Sequence, residues 1–270
     1  MGTFDTPNAV IADLQARVAA LEAGTVVDPP VDPPEPDWTD RTSDLLVRTG
    51  DTVEYTRWTG PGPASSLIGM YGTGINGATL RHLEMTGCAY GAKFGGGAVS
   101  RNLACSDWVS RNCDQGLYLG CVEDSTFDAL HIDCPTVKSQ GYSNHCIYVE
   151  RACKRLTFRD LFLTGAWGYA LQVYMDSTAA ADRCSDLRFE TVTFGSPEAP
   201  CCPVVIMRAD RVVLRHVHGW ADDSEPAIKL ASCNDVLLED VHMVGGDGFL
   251  SQTGCTNVRT VGCTWNGAPA

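Results

Sequence analysis

One segment recurs along most of this chain, and the recurrence limits the fold more than any single residue does. Cys153-Lys-Arg-Leu-Thr-Phe-Arg-Asp-Leu-Phe-Leu-Thr-Gly165 returns as Cys184-Ser-Asp-Leu-Arg-Phe-Glu-Thr-Val-Thr-Phe-Gly195 and as Cys233-Asn-Asp-Val-Leu-Leu-Glu-Asp-Val-His-Met-Val-Gly245. Aligned on Cys153, the anchors are Ile75, Ser100, Val122, Cys153, Cys184, Ala209, Cys233 and Cys255. The steps between them are 25, 22, 31, 31, 25, 24 and 22 residues. Apolar residues recur three, five and eight positions past the anchor, as in Leu156, Phe158 and Leu161. A second apolar pair closes most turns: Leu117/Leu119, Ile147/Val149, Leu171/Val173, Val204/Ile206 and Ile228/Leu230. Local alternation predicts strands of about three residues, and a period of this length with Gly, Asn and Asp in the turns describes one coil of a parallel β-helix. A leucine-rich repeat is the competing architecture. Its Leu-x-x-Leu-x-Leu spacing is absent, and no helix fits inside the period.

The register carries its own check. Two positions past the anchor stand Asp124, Arg155, Asp186, Arg211 and Asp235; six past it stand Asp128, Arg159, Glu190, Arg215 and Glu239. Both columns alternate in sign. In an in-register parallel stack, equivalent side chains lie one above another, so like charges would repel and alternating ones attract. These ten residues therefore read as structural.

Ahead of the repeats, residues 1–24 hold a helical pattern with Ile11, Leu14, Val18 and Leu21 on a heptad seam and Gly24 as its stop. A helix this short needs a partner. One reading docks it on its own domain; the other, favoured here, is self-association, because the Pro-rich spacer 25–37 holds it away. Val or Ile at a with Leu at d leans to two strands. Arg17-Val18-Ala-Ala-Leu21-Glu22, however, resembles the Arg-apolar-x-x-apolar-Glu trimerisation motif of short coiled coils. Residues 38–74 show no repeat and read as an aromatic-rich cap, leaving 75–270 as the β-helix.

Composition excludes several roles. A net charge of -13 argues against nucleic-acid binding and disfavours anionic polymers unless a cation screens them. No apolar run approaches the length of a membrane span, and the polar opening Met1–Pro7 is unlike a signal peptide. Thirteen cysteines, none in a Cys-x-x-Cys pair, read as reduced thiols packed inside, not as a disulfide framework or metal ligands. No cofactor or metal is expected.

Three features could carry chemistry. His218 and His242 should be surface neighbours, with His216 beside Asp240; a solvated strand face is the plainer account, an acid/base pair or weak metal site the sharper one. The two longest coils carry extra residues around Cys134–Asn144 and Asp176–Arg183, with a smaller excursion at Gly195–Pro203, and stacking is expected to put these loops on one flank. Near them lie Tyr118, Tyr142, Tyr148, Trp167, Tyr169 and Tyr174, with Tyr118 and Tyr148 at matching outward positions; such rings suit sugar C–H faces or simply cover the coil surface. Paired carboxylates would permit glycoside hydrolysis. Candidates outside the ladders include Glu150 and Asp240, and the loop flank singles out Asp133, Asp176 and Asp182, though no motif selects a pair.

The Cys153–Gly165 type repeats over 75–267, the Arg17–Glu22 helix and the Pro spacer together resemble phage tail spikes and minor tail proteins with a pectin-lyase-like right-handed β-helix. The resemblance implies an all-β, single-stranded parallel β-helix of about eight coils behind a short coiled-coil helix. It also implies a homotrimer made in the host cytoplasm, assembled with other tail proteins in the virion, that binds and sometimes cleaves bacterial cell-surface glycan. No catalytic motif of the group is matched, so the alternatives are adhesion, depolymerisation and a purely structural tail role. Replacing Leu14 and Leu21 by Asp should abolish trimers in light scattering; an unchanged mass would refute the heptad seam.

Overall fold

The computed structural model describes residues 36–135, 144–177, 179–195, 202–222 and 224–270. The coiled-coil residues Ile11, Leu14, Arg17, Val18, Leu21 and Glu22, and Tyr142, lie outside them. The chain divides into two units at Asp37/Trp38.

The second unit, Trp38–Ala270, is a parallel β-helix. Each coil contributes one long strand, such as Lys154–Gly165, to a twelve-stranded sheet and one short strand, such as Tyr169–Tyr174, to a nine-stranded sheet. Equivalent strands pair in parallel with the register the repeats predict: Phe158 faces Phe127 and Phe189, and Leu161 faces Leu130 and Val192. The coils expected from residue 75 onward are present. The expected cap differs. Residues 38–74 carry strands of the same two sheets, with Val53 opposite Leu80, Thr56 opposite Leu83 and Leu45 opposite Met70. Trp38 sits edge-on to Tyr55 at 6.0 Å under the guanidinium of Arg57.

The three-residue strands expected from the alternation are segments of one continuous strand of 11–13 residues, bent twice. Two residues past the anchor, Gly77, Asn102, Asp124, Arg155, Asp186, Arg211, Asp235 and Asn257 all have φ of 50–75°. Seven past it, the column from His82 to Gly262 repeats this at 50–65°. A left-handed residue turns the ribbon through a corner without breaking the ladder. Gly, Asn and Asp adopt it most readily; other L-residues bear roughly 1–2 kcal/mol each. Arg155 and Arg211 hold it while forking a carboxylate on the coil behind: Nε and Nη2 of Arg211 reach Asp186 at 2.6 and 2.8 Å, and those of Arg155 reach Asp124 at 2.5 and 2.8 Å. These guanidiniums hold the carboxyls of Asp124 and Asp186 below the usual carboxylate range. In the other column the arginines reach forward instead, Arg159 to Glu190 at 3.2 Å and Arg215 to Glu239 at 2.6 Å. Each alternating ladder thus resolves into discrete pairs.

The core is a set of stacked columns. Phe127, Phe158 and Phe189 are fully buried with ring centroids 4.9 and 4.7 Å apart and planes within 16°. That spacing is the strand-to-strand distance itself and lies inside the range of favourable ring contacts. Ten of the described cysteines are buried, among them Cys153, Cys184 and Cys233 at the anchor corner, where each serves as a small hydrophobe. At the next corner a Cβ on Gly165 would lie 1.8 Å from the Cys134 carbonyl oxygen, so only glycine fits. Phe158→Ala should cost about 3–5 kcal/mol in urea denaturation, because a gap in the stack is lined on both sides by rings that cannot collapse. Arg155→Ala should shift the midpoint far less; equal losses would mean that the corner pairs, not the Phe column, hold adjacent coils.

Candidate functional site

The short sheet presents the face with the most chemistry. Along its strands Leu117, Leu119, Ile147, Val149, Leu171 and Val173 point inward and are fully buried. The alternate positions therefore point out, and parallel register sets them in columns. Lys93, Tyr118 and Tyr148 form one such outward column. Tyr90, Gln115, His145 and Tyr169 form a second register column at the entry end of the strands, with the parity of the inward residues and with Gln115 and His145 buried. Glu150 stands opposite Tyr174 in a third.

These residues touch one another. Tyr118 lies edge-on to Tyr90 and Tyr148, with centroids at 6.1 and 5.5 Å. Lys93 Nζ sits 4.9 and 5.2 Å from the rings of Tyr90 and Tyr118. His145 stacks on Tyr169 at 5.8 Å and leans on Tyr148 at 5.2 Å. The Tyr118 hydroxyl donates to Glu150 Oε2, and the Tyr174 hydroxyl donates to Asp176 Oδ1. Arg208, on the next coil, donates from Nη1 to the carbonyls of Met175 and Ser177, each at 3.0 Å, and of Asp176, fixing the chain that carries Asp176. Past Tyr148 the central column continues as Gln172 and Val205, both buried. The open aromatic face therefore ends at the coil of Tyr174, while in the other direction the column continues past Lys93 to the exposed Tyr71.

Burial first and the Glu150 carboxylate second push the phenols of Tyr118 and Tyr148 well above their ordinary range; its bond to Asp176 raises Tyr174. Burial lowers His145 to about 4. At neutral pH the face thus offers phenol donors, a neutral imidazole and two carboxylates on neighbouring coils. Rings with apolar faces and polar rims can hold a pyranose by its C–H face and its hydroxyls together.

The loop flank does not assemble as expected. The extra residues before His145 follow the long strand Val122–Cys134 and lead into the short sheet; those after Tyr174 leave the short sheet and lead to Cys184. The two connections thus join the short sheet at opposite edges. Asp133, opposite Thr164 and Arg111, ends a long strand at the entry edge. Asp176 and Asp182 lie at the exit edge, where the Asp182 carbonyl accepts the Ala152 N–H at 2.7 Å. Trp167 is half-buried in the turn before Tyr169, its backbone N–H donating to Asn144 Oδ1. Of the candidates, Tyr118, Tyr148, Tyr174 and Asp176 come together. Tyr169, also among the rings expected near the loops, joins them; Tyr90, Lys93, His145 and Arg208 join them unforeseen, and Glu150 stands among them as one acid of a long candidate list.

The second expected cluster forms as predicted. His218 stacks on His242 at 5.1 Å, and Asp240 bonds His216 Nδ1 and His242 Nε2, each at 2.7 Å. The two imidazoles hold the Asp240 carboxyl below its usual range. Among the described residues no group of three or more His, Cys, Asp or Glu is arranged to hold a metal ion.

No protein-family model matches the sequence, and no curated protein matches it. Solved structures do. ORF18 of Geobacillus virus E2 aligns over 84% of this chain with a TM-score of 0.53 at 13% identity, and the chain spans 52% of that protein's length. The A-module of the Azotobacter vinelandii mannuronan C-5 epimerase AlgE4 aligns over 96% of this chain and 75% of its own, with a TM-score of 0.50 at 12% identity. An alginate lyase from Paenibacillus aligns over 82% of this chain and 87% of its own, with a TM-score of 0.42 at 12% identity. At these identities the likeness is one of fold.

Spectrophotometric titration of the phenols should show Tyr118 and Tyr148 ionising after the exposed tyrosines. Glu150→Gln should move the late class toward the ordinary phenol pKa of about 10. A single class in both proteins would contradict the buried Tyr118–Glu150 contact.

Proposed function

We propose that this chain is a virion tail adhesion protein, a tail spike or minor tail protein, that holds bacterial cell-surface glycan on the tyrosine face of its short sheet. The observation that carries the reading is the run of rings Tyr90, Tyr118 and Tyr148, one per coil, with their hydroxyls and the Glu150 and Asp176 carboxylates at the rim. A rigid row of this kind meets successive sugar units with little conformational entropy to lose on binding. The likeness in fold to a virus protein and to an enzyme named for mannuronan agrees with this reading. The homotrimer through Ile11–Glu22 belongs to the same proposal, as does attachment to other tail proteins. A trimer would offer three such faces to one cell surface and gain by avidity.

A second reading, a depolymerase, is favoured by one feature. Glu150 and Asp176 stand on neighbouring coils within the aromatic face. Coils about 4.8 Å apart bring such a pair near the roughly 5–9.5 Å separation that glycoside hydrolysis uses. Asp133 and Asp182 do not belong to that pair.

Two measurements separate these readings. Fluorescently labelled protein should bind host cells, and Tyr118→Ala with Tyr148→Ala should weaken binding about tenfold, since each ring contact contributes about 0.5–1.5 kcal/mol. Unchanged binding would remove the face from the proposal. Incubation with purified host polysaccharide should release no new reducing ends or unsaturated products. Their appearance, and their loss in Glu150→Gln and Asp176→Asn, would establish the depolymerase instead.

A further inference from the structure

The repeat also changes character on the long sheet. Four residues past the anchor each coil turns one side chain outward, and the early coils place Thr79, Ala104, Thr126 and Thr157 there. The column then becomes Arg188, Val213, Leu237 and Arg259, in register one above another. Two arginines bracket two aliphatic residues. Val213 and Leu237 are half-buried and line a cavity of about 310 Å³ with Arg188 and Arg259, bordered by Asp186, Arg211 and Asp235. Arg188 and Arg259 are three coils apart, about 14 Å at roughly 4.8 Å per strand.

The charges of this groove are not balanced like those elsewhere on the sheet. Arg101, Arg155, Arg159, Arg211 and Arg215 each pair with a carboxylate. Arg211 is forked onto Asp186, and Asp235 accepts the Asn257 amide at 2.9 Å. The side chains of Arg188 and Arg259 are exposed, and neither guanidinium makes a hydrogen bond or ion pair among the described residues. Arg41 and Arg111 on the same sheet also stand without an acid among the described residues, but Arg188 and Arg259 are set at the two ends of one apolar strip.

We infer that this groove is a second binding site, separate from the tyrosine face, for an extended acidic glycan. A guanidinium fork matches a carboxylate or phosphate in two parallel hydrogen bonds, which an ammonium cannot do. An acidic chain laid along the column meets a fork at each end, and the C–H face of an intervening sugar covers Val213 and Leu237. The Asp186 and Asp235 carboxylates along the wall accept from sugar hydroxyls and repel a chain that strays off the column. The strip runs across the coils, so the ligand lies parallel to the shaft. Uronate carboxylates and the phosphodiesters of a polyol-phosphate chain share this chemistry.

Calorimetry on the full chain tests the inference with three probes of equal length: an oligomannuronate, its carboxyl-reduced neutral counterpart and a glycerol-phosphate oligomer. The expected result is binding of at least one anionic probe and not of the neutral one; which one binds identifies the anion. Arg188→Ala with Arg259→Ala should weaken it at least tenfold with an unchanged melting curve, since neither side chain supports the fold. Arg188→Lys should keep part of the affinity, because charge remains and the fork is lost. Tyr118→Ala with Tyr148→Ala should leave it unchanged, so failure of the tyrosine face and failure of this groove are distinguishable. Binding of neither anionic probe, equal binding of the neutral one, or wild-type affinity in the double arginine variant would overturn the inference.

Discussion

Everything in this molecule depends on in-register stacking of equivalent residues at the strand-to-strand distance. Parallel pairing along two sheets puts each side chain over its counterpart one coil away, so a choice made in one coil becomes a contact in the next. Phe on Phe gives a continuous ring column in the core. Like charges in a column would give repulsion, and the corner residues alternate in sign. The same constraint explains the left-handed corners. A coil can close only if every turn bends at the same place, and Asp, Asn and Gly dominate those columns because they bend most easily.

Stacking also shapes the surface where function is proposed. A column of outward residues is a rigid row whose pitch the backbone sets, so Tyr118 and Tyr148 stand one above the other, with Tyr90 edge-on to Tyr118 from the neighbouring column. The buried Gln172 and Val205 bound that row on one side. On the long sheet the same geometry turns a local change of sequence, from Thr157 to Arg188, Val213, Leu237 and Arg259, into a lined groove. In both places the site is a departure from the repeat laid on an unbroken scaffold.

The long sheet was legible in the sequence almost residue by residue. The anchors from Ile75 to Cys255, the columns at three, five and eight positions, both charge columns and the His218–His242 contact all follow from alignment, because a 22–31 residue period with no helix leaves little freedom. The coils before residue 75 were missed. There Thr56 stands where the later coils carry Leu83, Trp108 and Leu130, and the strand Leu45–Leu46 is too short to show alternation. The candidate site was half legible. The Leu117/Leu119 and Ile147/Val149 pairs already set Tyr118 over Tyr148. That Glu150 lies within reach of the Tyr118 hydroxyl, and that the two long connections join the short sheet at opposite edges, depends on where each coil turns.

Repetition forces equivalent residues into equivalent places, so the architecture and the register of the long sheet follow from the order of the amino acids. Which outward residues meet follows from the three-dimensional path of the coils. Contacts such as Tyr118–Glu150 and Arg208 with the Met175–Ser177 carbonyls run between residues at unlike positions of different coils, and Tyr174–Asp176 is a local contact where one coil turns. No periodicity marks those contacts, since the geometry of the corners, which the repeat leaves free to vary in length, sets them.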